Sequence, residues 1–406
     1  MIADGEMDVA DIAEPAMVRR ASIEDATAAR ALATDADALL PLTAIGTDQW
    51  RGLSKRAIEP NGYYLPQWEF SVNASASGRT GASALSAWSD ARLIGLMPVV
   101  SLSRGYKLPL PALVSAHPYG TLCTPPLDRD MADDAASQLM DAARNAGARA
   151  LILRDMSLDG PAMKAFTESL GREGLRPRVL QSYLRASLDA TRNADALLHE
   201  ALGGKKLKEL RRQRHRLAEH GAIGFDVARS PDQVAAATET FMRLEASGWK
   251  GARGTALAQD SGDAAFIRRA TTGLAETGQC EIVTLRAGEA PVAAAIVLRH
   301  QDRAFYFKLG VDERFAKFSP GVQLTLDLTR HLCADPAIAS ADSTASPDHP
   351  MINPIWRGRF AIGDVLIALR KDDPVVALIH AALVSRQSAL GLARRAVHLT
   401  RHLKRA

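Results

Sequence analysis

The stretch CEIVTLRAGEAPVAAAIVLRHQDRAFYFKLGV, residues 280–311, decides the fold. Three runs rich in Val, Ile, Phe and Tyr are separated there by Ala287-Gly288-Glu289-Ala290 and by His300-Gln301-Asp302. Short β-branched and aromatic runs bounded by turn residues read as strands of an antiparallel meander. A loop follows from Asp312 to Ser319, then an apolar run from Val322 to Leu332 whose period is ambiguous. Leu324, Leu326 and Leu328 alternate as a strand would, whereas Leu324, Leu328 and Leu332 keep the helical i, i+4 spacing. The ends favour a helix. Ser319 suits an N-cap, Pro320 the first helical position where its missing N–H costs nothing, and Arg330 and His331 the C-terminal turn. A short strand near Ile338–Ser343 and a final apolar stretch at 359–369 complete this half.

The same order occurs upstream. Residues 84–114 alternate ALSAW, LIGLMPVV and LPLPALV with Ser-Asp-Ala-Arg and Arg-Gly-Tyr-Lys turns, which predicts a first meander. A Pro- and Gly-bearing loop at 115–128 leads to a predicted helix at 129–146, a strand at 150–156, a helix at 160–173 and a strand-like run at 176–188. Between the halves, GGKKLKELRRQRHRLAEHG (203–221) predicts a helix with seven Lys or Arg from Lys205 to Arg216 and a thin seam of Leu207, Leu210 and Leu217. It reads as a solvated linker, as an anion or nucleic-acid groove, or as a dock for an acidic partner. No aromatic side chain is interleaved for base stacking.

Length and composition bound the class. With 406 residues, 47% hydrophobic and 24% charged, the chain is long enough for two or three packed units and is not disordered. No run of about 18 apolar residues offers a transmembrane helix. Only three cysteines occur, Cys123, Cys280 and Cys333, far apart, which encodes neither a disulfide framework nor a zinc cage, so no metal is expected. The net charge of +4 is unevenly spread. Residues 1–48 hold ten acidic and three basic side chains, while Arg386–Arg405 holds six Lys or Arg and no acid. The basic end reads as a soluble helical tail, or as a contact for an anionic partner such as a membrane surface. An acidic start, Met-Ile-Ala-Asp-Gly-Glu, is unlike a secretory or mitochondrial signal, so the expectation is a mature chain beginning here and a cytoplasmic location.

Several chemistries are missing from the motifs. Gly203-Gly204-Lys205-Lys206 is no P-loop, and neither a dinucleotide Gly-x-Gly-x-x-Gly nor a Gly-x-Ser-x-Gly elbow occurs. His398 and His402 share a helical spacing but lack an acidic third ligand. What remains is the junction at Ser319-Pro320-Gly321, where a strand passes through a loop into a helix. Free N–H groups and the partial positive charge of such an N-terminus can hold a diphosphate, Gly321 lets the backbone approach, and Lys317 adds charge. The same tripeptide also opens helices that bind nothing.

With the meander before it, this junction resembles the GNAT acyltransferase superfamily. EASGWKG (245–251), FYFKLGVDERFAKFSPG (305–321) and ADSTASPDHPMINPIWRGR (341–359) look like CelD-like acetyltransferases associated with cellulose biosynthesis, over most of residues 195–370. The doubled pattern is similar to FemAB-type proteins over nearly the whole chain. The resemblance implies an α/β (α+β) chain of tandem GNAT-like halves, each a mixed, mainly antiparallel sheet flanked by helices. The boundaries expected are an acidic arm (1–48), a degenerate half (49–195), a basic linker helix (196–221), an acyltransferase half (222–372) and a basic helical tail (373–406). It further implies acetyl-CoA or another acyl-CoA as co-substrate, gripped at Lys317, Phe318, Ser319, Pro320, Gly321 and Val322. The usual loop pattern, Gln or Arg-x-x-Gly-x-Gly or Ala, is replaced here by a single Gly321 beside Pro320.

An acyl transfer must deprotonate the acceptor and stabilise the departing thiolate. Asp342 and His349 are the acid–base candidates, with loop capping and turn ordering as their plainer roles. Tyr306 and Lys308 alternate with Phe305 and Phe307, so both polar side chains are expected to face the cleft, Tyr306 to protonate the thiolate and Lys308 to bind the acceptor. Trp249 and Lys250 open a Gly-rich segment (251–262) that looks like an acceptor loop, and Trp356 and Arg357 close the other side. The first half lacks a comparable helix start, which suggests a wall of the acceptor cleft bearing Trp50, Tyr63, Tyr64 and Trp68, with His117 and Tyr119 as weaker contacts; all six also suit a core. The expected function is acyl transfer to an amine or hydroxyl, on a small-molecule, polysaccharide or lipid-linked acceptor of envelope or exopolysaccharide metabolism. Its rivals are an aminoacyl transferase using charged tRNA, the only reading that calls for nucleic acid, and a non-catalytic scaffold.

Overall fold

The computed structural model describes residues 39–248, 251 and 253–403, with side chains to Ala389. Residues 1–38 of the acidic arm, Trp249 and Lys250, and the side chains of His398 and His402 lie outside the described residues. The strands are β1 (Leu40–Pro41), β2 (Ser83–Ser89), β3 (Arg92–Ser101), β4 (Ala112–Ser115), β5 (Ala150–Ser157), β6 (Arg178–Asp189), β7 (Ile223–Ala228), β8 (Cys280–Ala287), β9 (Ala290–His300), β10 (Arg303–Val311), β11 (Ser340–Asp342) and β12 (Gly358–Ala368). The helices are α1 (Thr47–Arg56), α2 (Pro66–Ser75), α3 (Leu102–Tyr106), α4 (Ala132–Asn145), α5 (Pro161–Arg172), α6 (Ala194–Leu217), α7 (Pro231–Ser247), α8 (Ser261–Ala275), α9 (Pro320–Cys333) and α10 (Pro374–Leu403).

All the strands join one sheet of 12, in the order β1-β2-β3-β4-β5-β12-β6-β11-β10-β9-β8-β7. Each half supplies an antiparallel meander, β1–β4 or β7–β10, and then a parallel neighbour, β5 beside β4 and β11 beside β10. The halves then trade a strand. β6, from the first half, pairs antiparallel with β11, while β12, at the far end of the chain, pairs with both β5 and β6. The repeated order read from the sequence is therefore present, but as a single sheet sewn together at its centre.

Local signals explain the elements around the site. Helix α7 starts on a capping box in which Ser230 Oγ accepts the Gln233 N–H and the Gln233 side chain returns to the Ser230 N–H. Asp260 caps α8 by accepting the Asp263 N–H. In α9, Pro320 occupies the first turn as expected, and Leu324, Leu326, Leu328 and Leu332 are all buried, because the helix lies between the sheet and α6. Ser319 stands at the N-cap position in the left-handed conformation (φ 53°) and makes no side-chain cap bond; its N–H instead closes the 3-10 turn Glu313–Phe318 on Ala316 O. The linker helix runs from Ala194 and kinks at Gly203 (φ 70°, ψ 162°), a backbone that glycine adopts without strain.

The core crosses the seam between the halves. Trp68 of α2 packs edge-on against Phe266 of α8 and Phe307 of β10, at 5.0 and 4.9 Å between ring centroids. Ser77 Oγ donates to Asp260 Oδ1 at 2.6 Å. On the opposite face, α6 and α9 cover β8–β11, and Gln323 Nε2 of α9 donates to Leu210 O of α6 at 2.8 Å.

Candidate functional site

Strands β10 and β11 pair only through Arg303↔Ser340, Ala304↔Ala341 and Phe305↔Asp342, and then part. A cavity of about 410 Å3 occupies the opening. It is lined from one side by Tyr306, Leu309 and Val311, and from the other by Phe307, Lys308 and Glu245, with Thr344 and His349 along its β11 edge. Such a volume with a few convergent polar groups is the usual form of a small-molecule site.

A bulge shapes it. The register of β10 on β9 shifts between Tyr306↔Val297 and Lys308↔Ile296, so Phe307 is an extra residue and the alternation expected from the sequence breaks there. Tyr306 and Lys308 consequently lie on opposite faces of the sheet, not side by side. Tyr306 lies toward α9, its Oη 3.2 Å from Thr325 Oγ1, and burial pushes its hydroxyl up to about 12. Thr325 donates its own proton to Gly321 O at 2.8 Å, so Tyr306 is the donor in that pair. Lys308 lies toward α7, its Nζ 3.6 Å from Glu245 Oε1 and 5.5 Å from the centre of the Tyr119 ring. The Glu245 carboxylate is fully buried, and its Oε2 accepts the Leu257 N–H at 3.0 Å. Gly310 belongs to this close packing, since a Cβ there would stand 2.9 Å from Glu245 N.

The β11 edge is held by Thr344, a β-branched residue in the left-handed region (φ 50°). Such a backbone persists only where its surroundings enforce it. Its N–H donates to Asp342 Oδ1 at 2.9 Å, its Oγ1 donates across the opening to Tyr306 O at 2.7 Å, and its carbonyl accepts from Thr121 Oγ1 at 3.0 Å. Arg185 of β6 completes the anchor through Asp342 Oδ2 and through Thr121 O at 2.5 Å.

The candidates from the sequence fall into separate groups. Asp342 is 1% exposed, with both oxygens committed to Arg185 and Thr344, and is not part of the cavity wall. His349 does line the cavity; burial holds its imidazole below the usual range. Its Nδ1 accepts the N–H groups of Met351 and Ile352 at 3.3 and 3.4 Å, which places the proton on Nε2 and makes the ring a donor. Lys317, Phe318, Ser319, Pro320, Gly321 and Val322 are absent from the wall. A Cβ on Gly321 would stand 2.9 Å from Leu309 Cδ2 and 3.2 Å from Val311 Cγ2, so this glycine lets α9 press on β10. The first amide of α9 with a partner is that of Gln323, to Ser319 O at 3.0 Å, which leaves the Gly321 and Val322 N–H groups as donors of the first turn.

Trp356 is buried, donating Nε1–H to Thr329 Oγ1 at 2.9 Å, and Arg357 is exposed beside it. Trp50, Tyr63, Tyr64 and Trp68 are all core residues. Three of them donate to main-chain oxygens: Trp50 to Tyr64, Tyr64 to Ala116 and Trp68 to Pro118. Tyr119 lies under Lys308 and is bonded to Asp263, and the Tyr63 ring is 5.9 Å from that of Phe307 in the cavity wall. In the first half the corresponding divergence of β4 and β5 is filled by Arg154, bonded to Ser115 O, and by the loop whose Cys123 N–H reaches Asp155 O at 3.1 Å. Among the described residues, no group of three or more His, Cys, Asp or Glu is placed to share a metal ion, and no helix is long and apolar enough to cross a membrane.

Glu245 and Thr344 are the residues that the sequence reading missed. Glu245 sits on the buried stripe Val234-Thr238-Phe241-Met242 of α7, and a carboxylate on an apolar face was the available signal.

Comparisons with known proteins bear on the domain and the fold. Residues 204–348 match the family model described as an acetyltransferase (GNAT) domain. The fold is similar to that of FemX (TM-score 0.55, 12% identity, 83% of this chain and 98% of that one). It is also similar to the C-terminal DUF2156 domain of a proposed lysylphosphatidylglycerol synthetase from Agrobacterium fabrum (TM-score 0.51, 15% identity, 83% and 95%). A conserved protein of unknown function from Bacteroides thetaiotaomicron shows the same likeness (TM-score 0.50, 11% identity, 80% and 98%). At these identities the likeness concerns the fold. No curated protein matches.

Proposed function

We propose that the protein is an acyl-CoA-dependent acyltransferase that uses the opening between β10 and β11, with its acceptor an amine or hydroxyl. The observation that carries this reading is a cavity passing between two parted strands, walled by Tyr306 on the α9 face and by Lys308 and Glu245 on the α7 face. A donor lying along the α9 side and an acceptor arriving from the α7 side would meet in the plane of the sheet. Bound acyl-CoA supplies the activated acyl group and the leaving thiol. The Gly321 and Val322 amides, with exposed Lys317, are the groups suited to its diphosphate. The match of residues 204–348 to an acetyltransferase domain supports the same donor class.

In this reading Glu245 takes the acceptor's proton, since its carboxylate is the one in the cavity wall on the acceptor side apart from Glu313 at the rim. Lys308 orients both Glu245 and the acceptor. Tyr306, kept protonated by burial and donating toward α9, faces the side where the thiolate departs. His349 donates from Nε2. Asp342 acts through Thr344, keeping the strands apart, and is a positioning residue. The halves 49–195 and 222–372, the linker 196–221 and the tail 373–406 remain the proposed division of labour, with the first half and its Tyr119 closing the acceptor side. An acceptor from exopolysaccharide or cellulose metabolism, and a CelD-like specificity, are proposed on the resemblance of 305–321 and 341–359 alone.

A second reading has its own observation. Lys205, Lys206, Lys208, Arg211, Arg212 and Arg216 are exposed along α6, which packs against α9 and the 3-10 turn beside the cavity. Such a stripe suits the phosphates of a charged tRNA as the acyl donor.

Calorimetric titration decides between them. The first reading expects saturable acetyl-CoA binding by the full chain, lost in Ala345→Trp, which fills the cavity. Salt-sensitive tRNA binding without any acetyl-CoA binding would favour the second reading, and neither binding would overturn both.

A further inference from the structure

Below the paired ends of β10 and β11 lies a second cavity, of about 320 Å3, whose polar and aromatic lining is Ser187 and Asp189 of β6, Ser340 and Asp342 of β11, Arg303 of β10, and Arg359 and Phe360 of β12. The registers bring Arg303, Ser340 and Asp189 into one row, and Asp342, Ser187 and Gly358 into the next, on the same face of the sheet. The cavity therefore exists because of the strand exchange, which places residues from both halves around it.

Its two arginines are not paired with its carboxylates. Arg303 lies over the Phe360 ring, 5.0 Å from the centroid, and its Nε donates to Ser340 Oγ at 3.1 Å. Its Nη1 is buried with no hydrogen-bond partner. A buried guanidinium N–H without an acceptor is costly, and in a native structure it calls for an explanation. Among the described residues no carboxylate lies within ion-pair distance of Arg303 or Arg359. The acids in reach are committed elsewhere. Asp342 is taken by Arg185 and Thr344, Asp189 by the Thr191 N–H and hydroxyl, and Glu59 by the Ala162 N–H at the start of α5. Arg359 reaches only the main-chain oxygens of Trp356 and Gly358, at 3.0 and 2.7 Å, and remains exposed at the rim.

We infer that this cavity binds an oxyanion, the carboxylate or phosphate group of a small molecule, between the Arg303 guanidinium and the Ser340 and Ser187 hydroxyls, with Arg359 closing over it. A guanidinium held edge-on by one hydroxyl and stacked on a ring has its fork fixed in direction, which is how arginine recognises planar or tetrahedral oxyanions in two-point fashion. Asp342 lines this site and Ser343 and Thr344 line the catalytic cavity proposed above, so the two cavities abut, yet their walls share no residue. It is therefore a separate binding site and stands whatever the acyl donor proves to be.

The test is calorimetric titration of the full-length chain with inorganic phosphate and, separately, with malonate, against sodium chloride at matched ionic strength. Saturable binding of either ion beyond the chloride control is expected, and the tighter of the two identifies the group the site takes. Arg303→Met should weaken it at least tenfold, and Arg359→Ala, an exposed position that does not endanger folding, several-fold. Should Arg303→Met fail to fold, Ser340→Ala replaces it, with weaker binding expected. Absence of saturable binding by both ions, or binding unchanged in Arg359→Ala and in whichever of the other two variants folds, would overturn the assignment.

Discussion

Replacing Arg185 by Met removes the cation that ties the exchanged strand β6 to β11. The side chain is fully buried; it donates from Nη1 to Thr121 O at 2.5 Å and to Thr121 Oγ1 at 3.0 Å, and from Nη2 to Asp342, itself 1% exposed. In the variant Asp342 would keep only the Thr344 N–H and would stand as a buried carboxylate without a counter-ion. Breaking one side of a buried pair costs about 3–5 kcal/mol, because the remaining charge is stranded. The loss of the Arg185 contact with Phe360, at 5.6 Å, adds a fraction of this. Replacing Asp342 by Asn together with Arg185→Met removes the stranded charge, so the double variant should recover much of the loss, to within about 2 kcal/mol of the parent. Urea unfolding followed by circular dichroism measures all three proteins. Arg185→Met within about 1 kcal/mol of the parent, or a double variant no more stable than the single one, would refute the claim that this pair anchors the junction.

Two further outcomes follow from particular side chains. Burial raises the Glu69 carboxyl to about 8, and its Oε2 has no partner. The folded state then holds a proton that the unfolded chain releases near pH 4.5. Stability from this residue is present at low pH and is lost as pH rises toward 8, by at most about 1.4 kcal/mol per unit. The buried imidazoles of His117 and His300, depressed to about 4, act in the opposite sense between about pH 4 and 6.5. The difference between parent and Glu69→Gln isolates the carboxyl: denaturant unfolding at pH 5, 6.5 and 8 should show the variant gaining relative stability with pH, and parallel profiles would contradict it. Glu245→Gln should leave acetyl-CoA affinity within about threefold while slowing transfer by roughly 10²–10⁴, the usual weight of a general base. Unaltered turnover with an acceptor in hand would remove Glu245 from that role.

The sequence made the periodic elements legible and concealed their partners. Runs such as Cys280–Ala287 and Ala290–His300 announce themselves through β-branched residues and turns, and Pro320 marks the start of α9. Nothing local in Arg178–Asp189 or Gly358–Ala368 says that each will pair across the seam, since strand partners are chosen by long-range packing. The extra residue at Phe307 was hidden for the same reason. Strict alternation put Tyr306 and Lys308 together, and one bulged residue parts them, as any shift by one must. Helix α8 carried a signal that the sequence reading did not use, Asp260 followed by Phe266, Ile267, Ala270 and Leu274, and its first residues, Ser261 and Gly262, fell in the segment 251–262 read as a loop. At the site, Gly321 illustrates how one residue admits two explanations. The sequence suggested room for a diphosphate, and the structure shows room for Leu309 and Val311, with the amide of the same residue still a donor of the first turn.

A crystal structure of the protein soaked with acetyl-CoA bears most directly on the central claim. The account places the thioester in the opening between β10 and β11, within reach of Tyr306 and Lys308, and the diphosphate at the Gly321 and Val322 amides. Difference density for the pantetheine arm anywhere else on the molecule would contradict it.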